Sequence, residues 1–232
     1  MKYLIGTLLE ETWMQKVERP KTLKENALES LREAITSNLL KPGDRLVERT
    51  LCESMGVSRT IVRECIRHLE SERLVVGIPN SGFVVASISN AEVKEIYEIR
   101  TLLECSAVKA CSLKATPTVI KKLYALHDDI AQHLQNNDVK TGLKMTKDFY
   151  ELIFKTAEKH VSWDLVEQLN SRISRLRALT LSSTGRKTSG PKDLFDIVKA
   201  MEEKNAEKAG EICTRHLQEA YDIAMHTEQG AA

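Results

Sequence analysis

Three arginines recur at four-residue spacing, which places Arg59, Arg63 and Arg67 on one face of a predicted helix. A guanidinium group binds the O6 and N7 atoms of guanine through two parallel hydrogen bonds, or it clamps a phosphate. A charged helix face often serves only to keep a protein soluble, so this face alone does not establish DNA binding. Whether these arginines bind DNA depends on the secondary-structure elements around the helix.

The predicted neighbours of this helix are those of a DNA-reading unit. Helices are predicted over 24–39, 48–55 and 58–71, and two β-rich runs over 74–76 and 83–85 are joined by turn residues into a hairpin. Pro42 and Gly43 end the first helix, Gly56 closes the second and Ser58 caps the third. The order predicts a winged helix-turn-helix over 23–87, with the hairpin as its wing.

Overall charge gives no indication of the partner. The chain has 232 residues and a formal net charge of +1, and residues 20–87 hold ten Lys or Arg against nine Asp or Glu. A basic excess is the usual electrostatic sign of a DNA-binding domain, and it is missing here. Any DNA-binding function must therefore rest on where the arginines point.

The rest of the chain is predicted to be an all-α bundle over 90–227. Six amphipathic helices are predicted, over 90–114, 117–135, 138–158, 161–182, 192–204 and 206–226. A polar loop rich in Ser, Thr and Gly is predicted from Ser182 to Pro191. Residues 1–22 are predicted to be a tail or short helix that lacks the features of a signal peptide, and a cytoplasmic location is expected.

The five cysteines form no metal-binding or paired motif. Each lies within a helical apolar pattern, which favours small buried side chains over a redox or ligand role. The cysteines occupy positions 52, 65, 105, 111 and 213. No catalytic residue is predicted, because the sequence shows no phosphate loop, nucleophile elbow or nucleophile–base spacing.

The first region resembles the GntR family of bacterial regulators. The resemblance rests on five segments: Lys41-Pro-Gly-Asp-Arg-Leu, Met55-Gly-Val-Ser-Arg-Thr, Val62-Arg-Glu, Leu69-Glu and Ser81-Gly-Phe-Val-Val. By this resemblance the chain binds a double-stranded DNA operator. The positions that match the family's DNA contacts are Arg49, Ser58, Arg59, Thr60, Arg63, Asn80, Ser81 and Gly82.

Two departures from the family pattern bear on DNA recognition. Ile61 stands where proline is common, at the DNA-facing end of the third helix, and we hypothesise that it alters which bases are preferred. Arg73 replaces the usual glycine before the wing, and we hypothesise that it adds a phosphate contact.

The helical region resembles the FCD effector domain of the same family. The resemblance rests on Glu98-Ile-Arg100-Thr-Leu-Leu-Glu104 and on the segment from Ala209 to Leu217. Such domains hold a divalent metal through one Asp and three His, but this resemblance places Thr146, Tyr150 and Leu194 at three ligand positions and leaves only His216. No metal cofactor is expected, unless Asp148 or another group has shifted register.

The resemblance also implies a small-molecule pocket in this domain. Tyr150 and His216 would line it, and Arg100, Arg172 or Arg175 could supply the positive charge that a metal supplies elsewhere to a carboxylate. A homodimeric regulator controlled by an organic acid is therefore expected. Two alternatives stay open: a bundle that only dimerises or docks a partner, and an enzyme that uses the bundle.

Overall fold

The computed structural model describes residues 20–228, except 182 and 184 and the side chains of 227 and 228. Most of the segment predicted as an N-terminal tail or short helix, residues 1–19, lies outside the described residues, as do 229–232. Fold class agrees with the sequence-based prediction: a winged helix-turn-helix precedes an all-α bundle.

The first unit contains three helices and three short strands. In chain order they are α1 (Leu23–Thr36), β1 (Arg45–Leu46), α2 (Glu48–Met55), α3 (Arg59–Ser71), β2 (Val75–Ile78) and β3 (Gly82–Val85). Both predicted caps are confirmed. Gly56 closes α2 with a left-handed φ of 65°, and the Ser58 hydroxyl accepts the N–H of Ile61 at the start of α3.

Two details of this unit differ from the prediction. Helix α1 ends at Thr36 rather than near residue 39, because Asn38 takes a left-handed φ of 64° and turns the chain. The wing hairpin of β2 and β3 gains a third strand, since β1 pairs antiparallel with β3 and the sheet order is β1-β3-β2. Two residues are too few to give a strand pattern in the sequence.

A single apolar core holds α3 in place. Leu31 and Ile35 of α1 pack with Val62, Ile66 and Leu69 of α3, and all five side chains are fully or almost fully buried. The buried face of α3 lies opposite to its basic face, as a helical period requires. The core therefore fixes which α3 side chains face outward.

Seven helices of the described chain form the second unit. They are α4 (Asn90–Lys114), α5 (Pro117–Gln135), α6 (Val139–Thr156), α7 (His160–Gln168), α8 (Asn170–Leu181), α9 (Arg186–Glu202) and α10 (Ala206–Glu228). None of these described helices combines the length and apolar character of a membrane span.

The prediction of six helices was wrong at two places. The segment predicted as one helix over 161–182 is broken at Leu169 into α7 and α8. Helix α9 begins at Arg186, inside the segment predicted as a loop, and contains Pro191 in its second turn. One proline there removes a single intrahelical hydrogen bond, so it does not prevent the helix.

Helices α4 and α10 pack antiparallel through the centre of the bundle. At one end the rings of Tyr97 and Tyr221 meet edge to face, with centroids 5.8 Å apart. At the other end Lys109 lies so close to Gly210 that a β-carbon added to Gly210 would clash with its side chain. The small glycine therefore allows a close approach of the two helices.

Helix α8 joins the bundle to the first unit through polar contacts. The Ser171 hydroxyl donates to Glu72 (2.6 Å), whose carboxylate also accepts a two-pronged hydrogen bond from Arg32 of α1. Arg175 donates to the carbonyl of Ala86 in the linker between the units. The N-terminal half of α8 thus contacts both the DNA-reading unit and the linker.

A third contact of α8 lies at the start of α4. Ser89 and Glu92 form a capping box there: the Glu92 carboxylate accepts the N–H (3.0 Å) and the hydroxyl (2.9 Å) of Ser89. The other oxygen of the same carboxylate accepts a hydrogen bond from Arg172 at 2.7 Å. One side chain therefore both starts α4 and holds α8 beside it.

Candidate nucleic-acid interface and effector cavity

All eight side chains or backbone positions predicted to contact DNA are exposed. Those in the helix-turn-helix are Arg49, Ser58, Arg59, Thr60 and Arg63, and those at the tip of the wing are Asn80, Ser81 and Gly82. Arg59, the first residue of α3, is placed by the Ser58 cap, and its guanidinium makes no ion pair within the described residues. The N-terminal end of α3 therefore presents cationic groups to the surface.

Arg63 is held in a fixed direction by Glu48 of α2. Its Nε donates to both oxygens of the Glu48 carboxylate, at 2.9 and 3.0 Å. The hydrogen bond with Glu48 raises the pKa of Arg63, which stays fully charged. With Nε occupied, the two terminal nitrogens of this exposed side chain remain available for a two-pronged contact with guanine or phosphate. Sequence reasoning missed Glu48.

The wing tip is fastened to the strand that sequence reasoning also missed. Arg45 of β1 donates through a terminal nitrogen to the carbonyl of Ser81. Asn80 and Gly82 take left-handed φ values of 58° and 85°, which produce the tight turn between β2 and β3. The tip is thus a short, tethered turn beside α3.

The two departures from the family pattern have clear structural settings. Ile61 is half buried against the first core, and its N–H is used by the Ser58 cap. Arg73 is exposed and takes a left-handed φ of 58°, a conformation that glycine adopts without strain. Both proposed effects on DNA recognition stay predictions.

A cavity of about 50 Å³, partly open to solvent, lies between α4, α5, α6, α8, α9 and α10. Its polar lining among the described residues consists of three arginines, two threonines and a histidine, with no carboxylate: Arg100, Arg177, Arg186, Thr146, Thr180 and His216. This volume accommodates one or two water molecules, compared with roughly 300–1,000 Å³ for drug-sized ligand pockets.

Two of the lining arginines are paired with a buried carboxylate that lies behind the lining. Arg100 donates from Nε to Glu104 one turn later at 2.8 Å, and Arg177 lies 3.7 Å from the same carboxylate. Burial alone would raise the pKa of Glu104, but Arg100 and Arg177 hold it below its usual value. Nη1 of Arg100 is buried and has no hydrogen-bond partner among the described residues.

His216 and Arg186 also line the cavity. Arg186 donates to the carbonyl of His216 at 3.0 Å, and Nδ1 of His216 lies 3.2 Å from the carboxylate of Asp193. Burial lowers the pKa of His216 to about 4 despite that contact, so the imidazole is neutral at pH 7. The cavity lining therefore carries its positive charge on guanidinium groups.

These residues do not fit a divalent metal. Of the four family ligand positions, only His216 offers an imidazole, while Thr146 donates its hydroxyl to the carbonyl of Gly142. Three guanidinium groups around the cavity would repel a cation. Asp148, the possible shifted ligand, lines a separate cleft beside α1, and no cluster of three His, Cys, Asp or Glu occurs among the described residues.

The structure brings together only some of the residues predicted for the pocket. Arg100, Thr146, Leu194 and His216 line the cavity. Tyr150 is buried behind it, with its ring 5.0 Å from the guanidinium carbon of Arg177, and is not part of the lining. Arg172 and Arg175 lie outside the cavity lining, in the contacts to Glu92 and Ala86 described above.

Two cavity arginines were missed by the sequence reasoning. Arg177 lies two residues beyond Arg175 on α8, on the face that turns toward the bundle interior. Arg186 falls in the segment predicted as a polar loop. The sequence signal that could have indicated Arg177 is the cluster of arginines at positions 172, 175 and 177. Their spacing alone does not show which of them faces the bundle interior.

Comparison with known proteins accounts for both units. Residues 23–85 match the profile of "Bacterial regulatory proteins, gntR family", and residues 95–219, more than half of the chain, match that of the FCD domain. The first match covers the helix-turn-helix and wing, and the second covers most of the bundle.

Full-length relatives show the same combination. The HTH-type transcriptional regulator YdhC of Bacillus subtilis is 26% identical over 217 residues, which cover 93% of this chain and 97% of the relative. The HTH-type transcriptional repressor RspR of Escherichia coli is 25% identical and covers 86% of this chain and 87% of its own.

Solved structures support the fold. E. coli McbR/YncC superposes with a TM-score of 0.73 at 22% identity, covering 88% of this chain and 98% of the other. A GntR transcriptional regulator from Rhodococcus gives a TM-score of 0.74 at 20% identity, covering 88% and 97%. At 22% and 20% identity, these likenesses show a shared fold.

Proposed function

Because the chain belongs to the GntR family with an FCD domain, and is a DNA-binding transcription regulator rather than an enzyme, we propose that a small anion controls its operator affinity. Support comes from the bundle cavity, whose lining holds three guanidinium groups and no carboxylate among the described residues. The buried Nη1 of Arg100, which lacks a partner there, is the observation that carries the proposal.

The anion that best matches this chemistry is a carboxylate. Two or three guanidinium groups bind a carboxylate through charge-assisted hydrogen bonds, and no metal is required. The cavity of about 50 Å³ accommodates the carboxylate group itself, while the remainder of a larger organic acid needs the lining side chains to move apart. The effector proposed here is therefore a small organic acid.

Thermal unfolding with a panel of organic acids, with and without EDTA, tests this proposal. A ligand present at 100 times its Kd stabilises the protein by about 2.7 kcal/mol, which raises Tm by about 5–10 °C for a chain of this size. Arg177→Met should abolish the shift, whereas the matched control Arg172→Met on the same helix should retain it. If no acid raises Tm, the effector proposal fails.

The DNA-binding face is proposed to comprise the residues predicted from the sequence. Arg59, Arg63 and the Asn80–Gly82 wing tip are all exposed on one unit, and Arg49 lies nearby on α2. We propose that the protein acts in the cytoplasm. Selection of bound duplexes from a random pool identifies its operator sequence. Comparing wild type with Ile61→Pro tests the effect of Ile61, and an unchanged preferred sequence would rule it out.

A homodimer that binds a pseudo-palindromic operator is part of the proposal. Helix α4 exposes Ile99 (38%), Leu102 (72%) and Leu113 (69%), which fall within one sector of its circumference. Exposed apolar groups on one helix face are typical of contact surfaces. This face also supports the second candidate function, in which the bundle dimerises or docks a partner without sensing a ligand.

A further inference from the structure

Two cysteines that are far apart in sequence meet where α4 packs against α10. The contacts Tyr97–Tyr221 and Lys109–Gly210 fix the antiparallel register of the two helices. Later residues of α4 therefore contact earlier residues of α10. Cys105 of α4 lies at the level of residues 213 and 214.

Local contacts confirm this register at the cysteines. The Cys105 sulfur lies 3.4 Å from the hydroxyl oxygen of Thr214. Cys213 directly precedes Thr214 on α10, and the thiols of Cys105 and Cys213 each affect the pKa of the other. Both cysteines are free thiols.

The two thiols have unequal chemistry. The neighbouring Cys213 thiol and the Thr214 hydroxyl hold the pKa of the Cys105 thiol below its usual value, although burial and Glu104 act in the opposite direction. The interaction with the Cys105 thiol, followed by burial, raises the pKa of Cys213. Its greater exposure, together with its lowered pKa, makes Cys105 the attacking thiol of the pair, because an oxidant must reach the sulfur and the thiolate is the reactive form.

Cys105 lies close to a surface groove. Its side chain retains 8% exposure, whereas Cys213 is fully buried. Thr214, which contacts the Cys105 sulfur, lines an open surface groove of about 480 Å³ together with Lys109 and Gly210. A peroxide molecule is small enough to enter this groove and approach Cys105.

We propose that Cys105 and Cys213 form a peroxide-reactive dithiol, which two-electron oxidation converts into a disulfide that links α4 to α10. A nucleophilic, partly accessible thiol beside a resolving thiol is the arrangement found in redox-sensing proteins. This inference is independent of the ligand cavity and adds a modification site to the regulator.

The chemistry has two steps. The Cys105 thiolate attacks one oxygen of hydrogen peroxide, so that an S–O bond forms, the O–O bond breaks, and the departing hydroxide takes up a proton to become water. The Cys213 sulfur then attacks the resulting sulfenic acid, forming the S–S bond. The second hydroxide leaves as water with the Cys213 proton, and peroxide is the only oxidant required.

The disulfide would act on the regulatory part of the bundle. Glu104, which pairs with Arg100 and Arg177, directly precedes Cys105, and His216 follows Cys213 by three residues on α10. A covalent link here fixes the spacing of two cavity walls. We expect oxidation to change the affinity for operator DNA by about fivefold or more, the lower end of typical allosteric coupling.

The test treats full-length protein with hydrogen peroxide, blocks the remaining thiols and maps peptides by mass spectrometry. A Cys52→Ser background removes the half-exposed Cys52 as a competing thiol. The expected product is a peptide pair joined through Cys105 and Cys213, and dithiothreitol should reverse it. Cys111, whose pKa burial raises to about 11, should react at least about tenfold more slowly.

Variants separate the roles of the two thiols. Cys213→Ser should leave Cys105 as a sulfenic acid that dimedone traps, and Cys105→Ser should leave Cys213 reduced. Cys111→Ser, a buried cysteine of the same helix, is the control and should still form the disulfide. Far-ultraviolet circular dichroism establishes that each variant is folded, and Cys213→Ala replaces Cys213→Ser if the latter is not.

The outcomes distinguish this inference from the proposed function. Absence of the linked peptide in folded, peroxide-treated protein would overturn the dithiol. A disulfide that leaves affinity for the selected duplex unchanged would overturn its regulatory role. DNA binding by the reduced protein tests the proposed function separately, because neither cysteine belongs to the DNA-binding face.

Discussion

At the residue scale, recognition depends on side chains that hold other side chains. Glu48 fixes Arg63 through two hydrogen bonds to Nε, and Arg45 fixes the carbonyl of Ser81 at the wing tip. Glu48 does not carry the charge of a DNA contact. A carboxylate beside DNA repels phosphate, so its benefit must lie in orienting the arginine.

Replacing Glu48 tests this orienting role. Glu48→Gln should lower the discrimination between the selected duplex and random DNA by about 1–3 kcal/mol, because Arg63 loses its fixed direction. Non-specific affinity should rise, because one negative charge is removed. Fluorescence anisotropy with both duplexes measures the two effects.

A matched control has the same change of charge on α3. Glu64 is exposed and pairs with Lys24 of α1 at 2.6 Å, so Glu64→Gln leaves Arg63 oriented. Equal losses of discrimination in the two variants would contradict the role assigned to Glu48.

The buried Glu104 predicts a large effect on stability. Glu104→Gln leaves Arg100 and Arg177 without their shared carboxylate, and removing one partner of a buried ion pair costs about 3–5 kcal/mol. Urea unfolding at pH 7 measures the change. Glu98→Gln, on the exposed face of α4, should cost less than about 0.5 kcal/mol, and similar losses in both variants would contradict the assignment.

The same carboxylate predicts the direction of a pH effect. Because the folded-state pKa of Glu104 is lowered, its contribution to stability is complete above the unfolded pKa of about 4.3. That contribution is lost as the pH falls through the folded-state pKa. Unfolding free energy should therefore decrease more steeply with acid in wild type than in Glu104→Gln, and parallel curves would exclude this origin.

At the element scale, α8 connects the cavity with the DNA-reading unit. Its first half carries Ser171 and Arg175, which contact Glu72 and the linker carbonyl of Ala86. Its second half places Arg177 and Thr180 in the cavity wall. A displacement of this short helix on ligand binding would reach both units without any intermediate element.

Removing one polar contact tests how strongly α8 holds the DNA-reading unit. Ser171→Ala deletes a hydrogen bond to a charged group, typically worth about 1.5–3 kcal/mol. Hydrogen exchange of α1 amides should accelerate at least about tenfold, while that of α10 stays unchanged. Ser174→Ala on the same helix is the control, and equal acceleration in both variants would contradict the prediction.

The success of sequence-based prediction differed between elements for physical reasons. The cap at Ser58 and the left-handed Gly56 are local signals, so α2, α3 and their outward arginines were predicted correctly. The face of α8 depends on the break at Leu169, which no proline or glycine marks. The sequence analysis named Arg172 and Arg175 as pocket residues, whereas Arg177 of the same helix lines the cavity.

Other parts of the site depend on long-range packing. The cavity combines Arg100, Arg186 and His216 from three helices, and only the tertiary fold brings them together. Arg186 was missed because its Ser- and Gly-rich surroundings are typical of loops. The sequence separation of Cys105 and Cys213 gives no sign that they meet, because their proximity comes from the register of α4 against α10.

At the scale of the whole molecule, the exposed apolar face of α4 predicts self-association. Leu102→Glu places a charge at the centre of the proposed dimer contact and should weaken dimerisation at least about tenfold. Sedimentation equilibrium measures the change, and a selected palindromic duplex should be bound less tightly as well. Leu39→Glu, an exposed leucine of the first unit, is the control. An unchanged dimer in Leu102→Glu would place the contact elsewhere.

The double use of Glu92 has a consequence for the exchange of domains between relatives. A chimera joined at residue 88 retains the whole capping box and the Arg172 contact, because Ser89, Glu92 and α8 are inherited together. The same chimera needs a residue equivalent to Glu72 and a linker carbonyl at Ala86 from its new DNA-reading unit. Any residue supplies the carbonyl at position 86, so the side chains that a designer must supply include a carboxylate at position 72 for Ser171 and one at position 33 for Lys140.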